Sequence, residues 1–309
     1  MKNIPKAKPL TLKVQIPQLA EPEDISIVMA IYNHEATLAD ALDSALMQVM
    51  PYSSMIYCLN DASTDKSAEI LNDYVQRYPD KIKAYTSRVN QGSGKKSFYH
   101  NKPDARGRYW CLLAGDDYWT TNDKLAKQIA FLDENTDFTG CSCNTVMRNE
   151  TTKEESIIKP DRHTFNLLDL ILLKQRYAFY VHTTSLVWRN VYLGHGFFLP
   201  PTFKNKYAHG DVVLMHMMLA SGCKVHNIQE VMSCYRVTGR GVWTSKSEEH
   251  QAAANARLMD SIKKSIPFKY RMHIALQGLR HHSKVMRKFI LFLVVFPYFI
   301  LVVSVKFAL

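Results

Sequence analysis

Two adjacent carboxylates, Asp116 and Asp117, close the apolar run Leu112-Leu113-Ala114 and stand just before Tyr118-Trp119. Acids fixed at the end of a strand can hold a divalent cation, and such a cation neutralises the charge that builds on a departing diphosphate. The same pair has an ordinary structural use, as turn and cap residues ahead of Asn122-Asp123-Lys124-Leu125. A second polar cluster, Asn60-Asp61-Ala62-Ser63-Thr64-Asp65, interrupts an apolar run in the same way. Asn33 ends a third.

These residues are useful only if the elements before them run side by side. Ile25-Ser26-Ile27-Val28-Met29-Ala30 reads as a strand buried on both faces, and Leu38, Ala41, Leu42, Ala45 and Leu46 follow at helical spacing. Met55 to Leu59 predicts a second strand. A helix with Ile70, Leu71, Tyr74 and Val75 inward comes next. Ile82 to Ser87 and Tyr109 to Ala114 complete a βαβαββ series, the pattern of an α/β fold whose mostly parallel central sheet is flanked by helices. Ligands bind such sheets outside the carboxyl ends of the strands, so Asn33, Asp61 and Asp116 should face one crevice.

In order and spacing these segments resemble bacterial family-2 inverting glycosyltransferases of GT-A fold. The resemblance rests on Ile25 to Asn33, Leu59 to Asp65, and Gly115-Asp116-Asp117-Tyr118-Trp119 with Lys124-Leu125-Ala126-Lys127-Gln128. It continues through His182-Thr183-Thr184-Ser185, His209-Gly210-Asp211 and Tyr235 to Trp243, and covers roughly residues 25 to 245. It implies that Tyr32 and Asp61 hold the nucleotide base, and that Asp116, helped by Asp117, binds Mg²⁺ or Mn²⁺ on the donor diphosphate. Asp211 is implied as the general base that deprotonates the acceptor hydroxyl; its structural alternative is to cap a helix from Val212 to Ser221. Ala30, Asn33, Gly92, Lys95, Arg236 and Trp243 complete the implied donor site.

Three positions depart from the family pattern. Ala114 stands at the first acid position of the Asp-x-Asp motif, and Thr238 stands where a histidine is common. Asn90-Gln91-Gly92-Ser93-Gly94-Lys95-Lys96 leads into an atypical stretch, in which Lys95, Lys96 or Arg106 is either a phosphate partner or a solvated surface cation. Other motifs exclude themselves. Val89 occupies the first glycine position of a Walker loop, and no Gly-x-Gly-x-x-Gly follows the first strand. The cysteines at 58, 111, 141, 143, 223 and 234 contain no Cys-x-x-Cys pair and read as core thiols of a reducing compartment.

The chain of 309 residues is 47% hydrophobic, enough for one large domain and an accessory region. Its net charge is +11, yet no acid follows Asp260 while nine lysines and arginines do, so only about +2 remains for the rest. That distribution argues against a nucleic-acid partner. The basic region, 246–288, expected to be helical, leads into seventeen uncharged residues from Phe289 to Val305. At about 1.5 Å rise they span roughly 26 Å, the short end of what crosses a bilayer. Pro297 would kink a helix there, so the segment either spans or lies in the membrane. The flanking lysines and arginines favour anionic lipid and place the main domain at the cytoplasmic face of a bacterial plasma membrane.

Residues 1–24 carry Pro5, Pro9, Pro17 and Pro22 without an apolar core, and are expected to form an extended arm rather than a signal peptide. The polar run Thr151-Thr152-Lys153-Glu154-Glu155 separates a donor-binding half, 25–150, from an acceptor-binding half, 151–245. The expectation is a membrane-associated, metal-dependent inverting transferase, taking sugar from a nucleotide diphosphate donor to a lipid-linked or surface-polysaccharide acceptor. The alternatives are a sugar-nucleotide nucleotidyltransferase, or a non-catalytic polysaccharide-assembly protein whose site has decayed at Ala114 and Thr238.

Overall fold

The computed structural model describes residues 23–90, 92, 105–160, 163–166, 181–190 and 224–239, with 247, 249 and 253. Strand β1 (Ile25–Ile31) leads to helix α1 (Leu38–Leu46), β2 (Ser54–Asn60), α2 (Ser67–Arg77) and β3 (Ile82–Thr86). Then come β4 (Tyr109–Ala114), the short β5 (Tyr118–Trp119), α3 (Lys124–Glu134) and β6 (Phe138–Asn149). The remaining strands are β7 (Glu155–Ile158), β8 (Thr164–Asn166), β9 (Val187–Arg189) and β10 (Lys224–Val237), with a 3₁₀ turn at Thr183–Ser185.

The apolar pattern of β1 explains its central place. Ile25, Ile27, Met29 and Ile31 point to one face and join a core with Leu38, Leu42, Leu71, Leu125, Ile129 and Leu132 from the three helices. Val28 points to the other face and packs with Met55, Tyr57 and Leu59 of β2. A strand covered on both faces pairs readily in parallel, and β1 does so with β2 and β4. Each buried Leu or Ile contributes roughly 1.5–3 kcal/mol against exposure, so this register is firmly fixed. Gly107 admits the β1–β4 approach, since a Cβ there would meet Ser26 N at 2.6 Å.

The strand order is β3-β2-β1-β4-β9-β6-β10-β5, with β7 beside β6 and β8 beside β10. The N-terminal strands, β3-β2-β1-β4, are parallel as expected. The sheet as a whole is not mostly parallel; it is mixed. Short β9 enters between β4 and β6 and runs against both, so that Trp188 stands opposite Trp110 and Gly140. Gly140 leaves the space that the indole fills: a Cβ would lie 2.7 Å from Trp188. Thr151 to Glu154 form the turn of a β6–β7 hairpin, closed by Asn149 N–H donating to Glu154 O at 2.9 Å.

Cys58, Cys111, Cys141, Cys143 and Cys234 are free and buried, as expected of core thiols. Burial pushes the Cys111 thiol up to about 12, which keeps it protonated and inert. The arm (to residue 22), the basic region apart from Ser247, Glu249 and Ala253, and the apolar run 289–305 lie outside the described residues. Among the described residues no helix is long and apolar enough to cross a membrane.

Candidate functional site

The loops after β1 and β2 lock together through their polar side chains. Asn33 adopts a left-handed backbone, φ +56°, which asparagine tolerates better than most residues. Its N–H donates to Ser63 Oγ at 3.1 Å and its Oδ1 accepts from Thr64 N–H at 2.8 Å. One residue on, His34 N–H donates to Ser67 Oγ at 2.8 Å, and Glu35 N–H to Asp65 Oδ2 at 3.0 Å. Asn60 Oδ1 accepts from Ser63 N–H and Oγ–H. Burial opposes ionisation of Asp65, yet the Ser67 hydroxyl and the Glu35 and Ser67 amides hold its carboxyl below the usual range. Asn33 thus fastens the loop after β1 to the loop after β2.

The backbone brings the third strand to the same place. Asp61 N–H donates to Ile31 O and Gly115 N–H to Ala30 O, both at 2.9 Å, so Ala30, Asp61 and Gly115 cluster at the ends of β1, β2 and β4. Tyr32, 38% exposed, projects from the same edge. Thr37 Oγ1 donates to Gly115 O at 2.9 Å and ties α1 to the turn that carries the acids.

The structure separates the roles of the two acids. The Asp116 side chain is 23% exposed, and its Oδ2 lies 3.8 Å from His34 Nε2. Asp117 turns inward, 3% exposed, where Oδ1 accepts from Arg236 N–H at 3.1 Å and Oδ2 lies 3.8 Å from His182 Nδ1. Burial, and then the charge of Asp116, push the Asp117 carboxyl well above the ordinary range. Burial also lowers His182 to about 4, so this imidazole, stacked at 4.2 Å on Tyr235, is neutral. The same effect lowers His34, against the pull of Asp116 and Asp65.

Arg236 reaches the site through its backbone. Its guanidinium pairs with Asp40, lies 3.3 Å from Glu150 Oε1 and covers the Tyr118 ring at 4.4 Å. It thereby fastens β10 to α1. Gly92, at φ +78°, is held within its own loop by N–H donation to Asn90 Oδ1 at 2.7 Å. Lys95, Asp211 and Trp243 lie outside the described residues.

A polar clamp under the site escaped sequence reasoning. Lys124 is fully buried, with Nζ donating to Gln128 Oε1 at 2.7 Å and lying 4.5 Å over the Trp119 ring. Gln128 Nε2 donates to Cys141 O and Ser185 O at 2.8 Å, and Trp119 Nε1 donates to Thr184 O at 2.9 Å. Together they hold the β4–β5 turn against the 3₁₀ turn. The signals available were the i, i+4 spacing of Lys124 and Gln128 and their place in a segment that carries the family resemblance.

Can these residues hold a cation? Among the described residues no group of three or more His, Cys, Asp or Glu side chains gathers at one point. Ions on diphosphates need fewer protein ligands, because substrate oxygens and water complete the shell. Asp116, partly exposed at the end of β4 and with no lysine or arginine within ion-pair distance among the described residues, fits that requirement.

A central mixed sheet with its polar loops at the strand ends defines an α/β fold of GT-A type. Residues 26–194 match the family model described as glycosyl transferase family 2, more than half of the chain, and the chain belongs to that family. An uncharacterised protein of Mycobacterium tuberculosis is 29% identical over 224 residues, 72% of this chain and 61% of that protein. The chain therefore spans about three-fifths of the length of that relative. The poly(ribitol-phosphate) beta-glucosyltransferase of Bacillus spizizenii is 36% identical over 95 residues, 30% of this chain and 15% of that enzyme. Among solved structures, S. aureus TarS 1-349 in complex with UDP superposes with a TM-score of 0.55 at 16% identity, over 84% of this chain and 71% of that one. The Pyrobaculum calidifontis mannosyltransferase PcManGT in complex with GDP-Man and Mn²⁺ gives 0.52 at 14% identity, over 88% and 79%.

Proposed function

We propose that this chain transfers a sugar, with inversion, from a nucleotide diphosphate donor to a lipid-linked or surface-polysaccharide acceptor, using Mg²⁺ or Mn²⁺. The observation that carries the reading is the meeting of Asn33, Asp61 and Asp116 at the ends of β1, β2 and β4, with one acid open to the crevice and its neighbour buried. Family membership and the donor complexes of the two structural neighbours support it.

In this reading Tyr32 and Asp61 form the wall for the base, and Asn33 keeps that wall rigid by joining the two loops. Asp116 holds the cation, which when bound neutralises charge on the departing diphosphate. Asp117 positions Asp116 from behind, through its bond to the Arg236 amide. Asp211 takes the proton of the acceptor hydroxyl. Family membership disfavours the nucleotidyltransferase alternative, and an accessible Asp116 disfavours a decayed site.

The acceptor assignment draws on the apolar run 289–305 and the basic residues before it, which would bring the enzyme to a membrane-bound substrate at the cytoplasmic face. The poly(ribitol-phosphate) beta-glucosyltransferase among the relatives favours a cell-envelope polymer. Deleting residues 289–309 should move the protein from the membrane to the soluble fraction, while transfer to a water-soluble acceptor analogue persists. A truncated chain that is insoluble and inactive would show that the run belongs to the core and that the anchoring idea fails.

A further inference from the structure

One imidazole beside Asp116 has no part in the chemistry above. His34 is 19% exposed, and its Nδ1 is buried without a hydrogen-bond partner among the described residues. That nitrogen lies against Gly115, so it is the opposite nitrogen that is turned toward Asp116. Its other nitrogen, Nε2, lies 3.8 Å from Asp116 Oδ2, beyond hydrogen-bonding distance. The turn also makes room for the ring: a Cβ on Gly115 would meet His34 Nδ1 at 2.6 Å. A glycine therefore stands where the imidazole lies against the turn, one residue after the missing acid at Ala114.

The spacing of the two donor atoms is informative. Two atoms bound to one ion at roughly 2.1 Å lie about 3.0 Å apart at right angles and about 4.2 Å apart at opposite poles. The His34–Asp116 separation of 3.8 Å matches neither as it stands, and a side-chain shift of less than about 1 Å would bring the two atoms to neighbouring or opposite positions on one ion. It is too long for a direct bond between the two groups and short enough for both to reach one cation.

We propose that His34 Nε2 is the second protein ligand of the divalent cation held by Asp116, taking the place that Ala114 leaves without a carboxylate. The proposal rests on the metal site described under Proposed function. An imidazole ligand favours Mn²⁺ over Mg²⁺, whose preference is for oxygen. The chain should therefore discriminate between these ions more strongly than an all-carboxylate site would.

Pulsed electron paramagnetic resonance on the full chain with Mn²⁺ and UDP, repeated with GDP, tests this directly. The expected spectrum shows nitrogen coupling to Mn²⁺ that changes isotope when the protein is labelled with ¹⁵N-histidine. His34→Gln should lose that coupling and bind Mn²⁺ at least ~10-fold more weakly, with a smaller loss for Mg²⁺. His226→Gln, on the far part of β10, should keep it. Mn²⁺ that binds, requires Asp116 and shows no histidine nitrogen would overturn the ligand role of His34 and leave the metal site standing. Mn²⁺ that binds Asp116→Asn as tightly as the native chain, or that binds neither, would remove both. Should His34→Gln misfold, His34→Asn and the isotope change in the unmutated protein still decide the matter.

Discussion

Asp116→Asn should abolish Mn²⁺-dependent transfer and weaken donor binding, with turnover falling by about a thousandfold or more. The cation's stabilisation of a departing diphosphate is worth several kcal/mol, and roughly 4 kcal/mol corresponds to a thousandfold in rate. The amide keeps the shape of the side chain but loses the charge that holds the ion. Folding should be intact, because the Asp116 side chain is a crevice group and not part of the core. Asp117→Asn should cost much less. That acid is buried and its ionisation is suppressed, and an amide oxygen can still accept from the Arg236 N–H. Steady-state rates with Mn²⁺ for both variants check the ordering, and normal activity in Asp116→Asn would end its assignment to the metal.

Asp211→Asn should stay folded and bind donor plus metal with near-normal affinity, yet lose at least about a hundredfold in kcat. Loss of a general base typically costs about 10²–10⁴ in rate, whereas loss of a helix N-cap costs only ~1 kcal/mol of stability. The residue follows His209-Gly210 and precedes an apolar helical pattern, so its carboxylate is expected at a helix N-terminus. The base serves if the proton moves late, as attack on the anomeric carbon acidifies the acceptor hydroxyl. Donor titration and single-turnover kinetics separate the two roles. An unfolded variant would favour capping, and a folded one with ordinary turnover would take Asp211 out of the mechanism.

The N-terminal part of the sheet was legible because its strands are apolar and most are separated by amphipathic helices. The runs at Ile25, Met55, Ile82 and Tyr109 became β1 to β4 with boundaries close to those expected. The mixed character of the sheet was hidden for a different reason. Val187-Trp188-Arg189 is too short to show a period, yet as β9 it separates β4 from β6 and reverses direction between them. Nor does local pattern reveal that β10 pairs with β6, more than eighty residues away.

The candidate site divides along the same line. Asn33, Asp61 and Asp116 could be placed because each ends a recognisable strand. Asp116 and Asp117 look alike in sequence, and only the Arg236 amide and the burial around it distinguish them. The contact of His34 with Gly115 spans some eighty residues, so neither residue hints at the other.

The most direct measurement is the nucleotide product released from a panel of nucleotide sugars incubated with the full chain, acceptor analogue and Mn²⁺. A transferase acting at this crevice should release a nucleoside diphosphate from at least one donor, only with the cation present and not from Asp116→Asn, while the sugar appears on the acceptor with inverted configuration. Release of pyrophosphate, or consumption of every donor at the same rate by Asp116→Asn, would contradict that account.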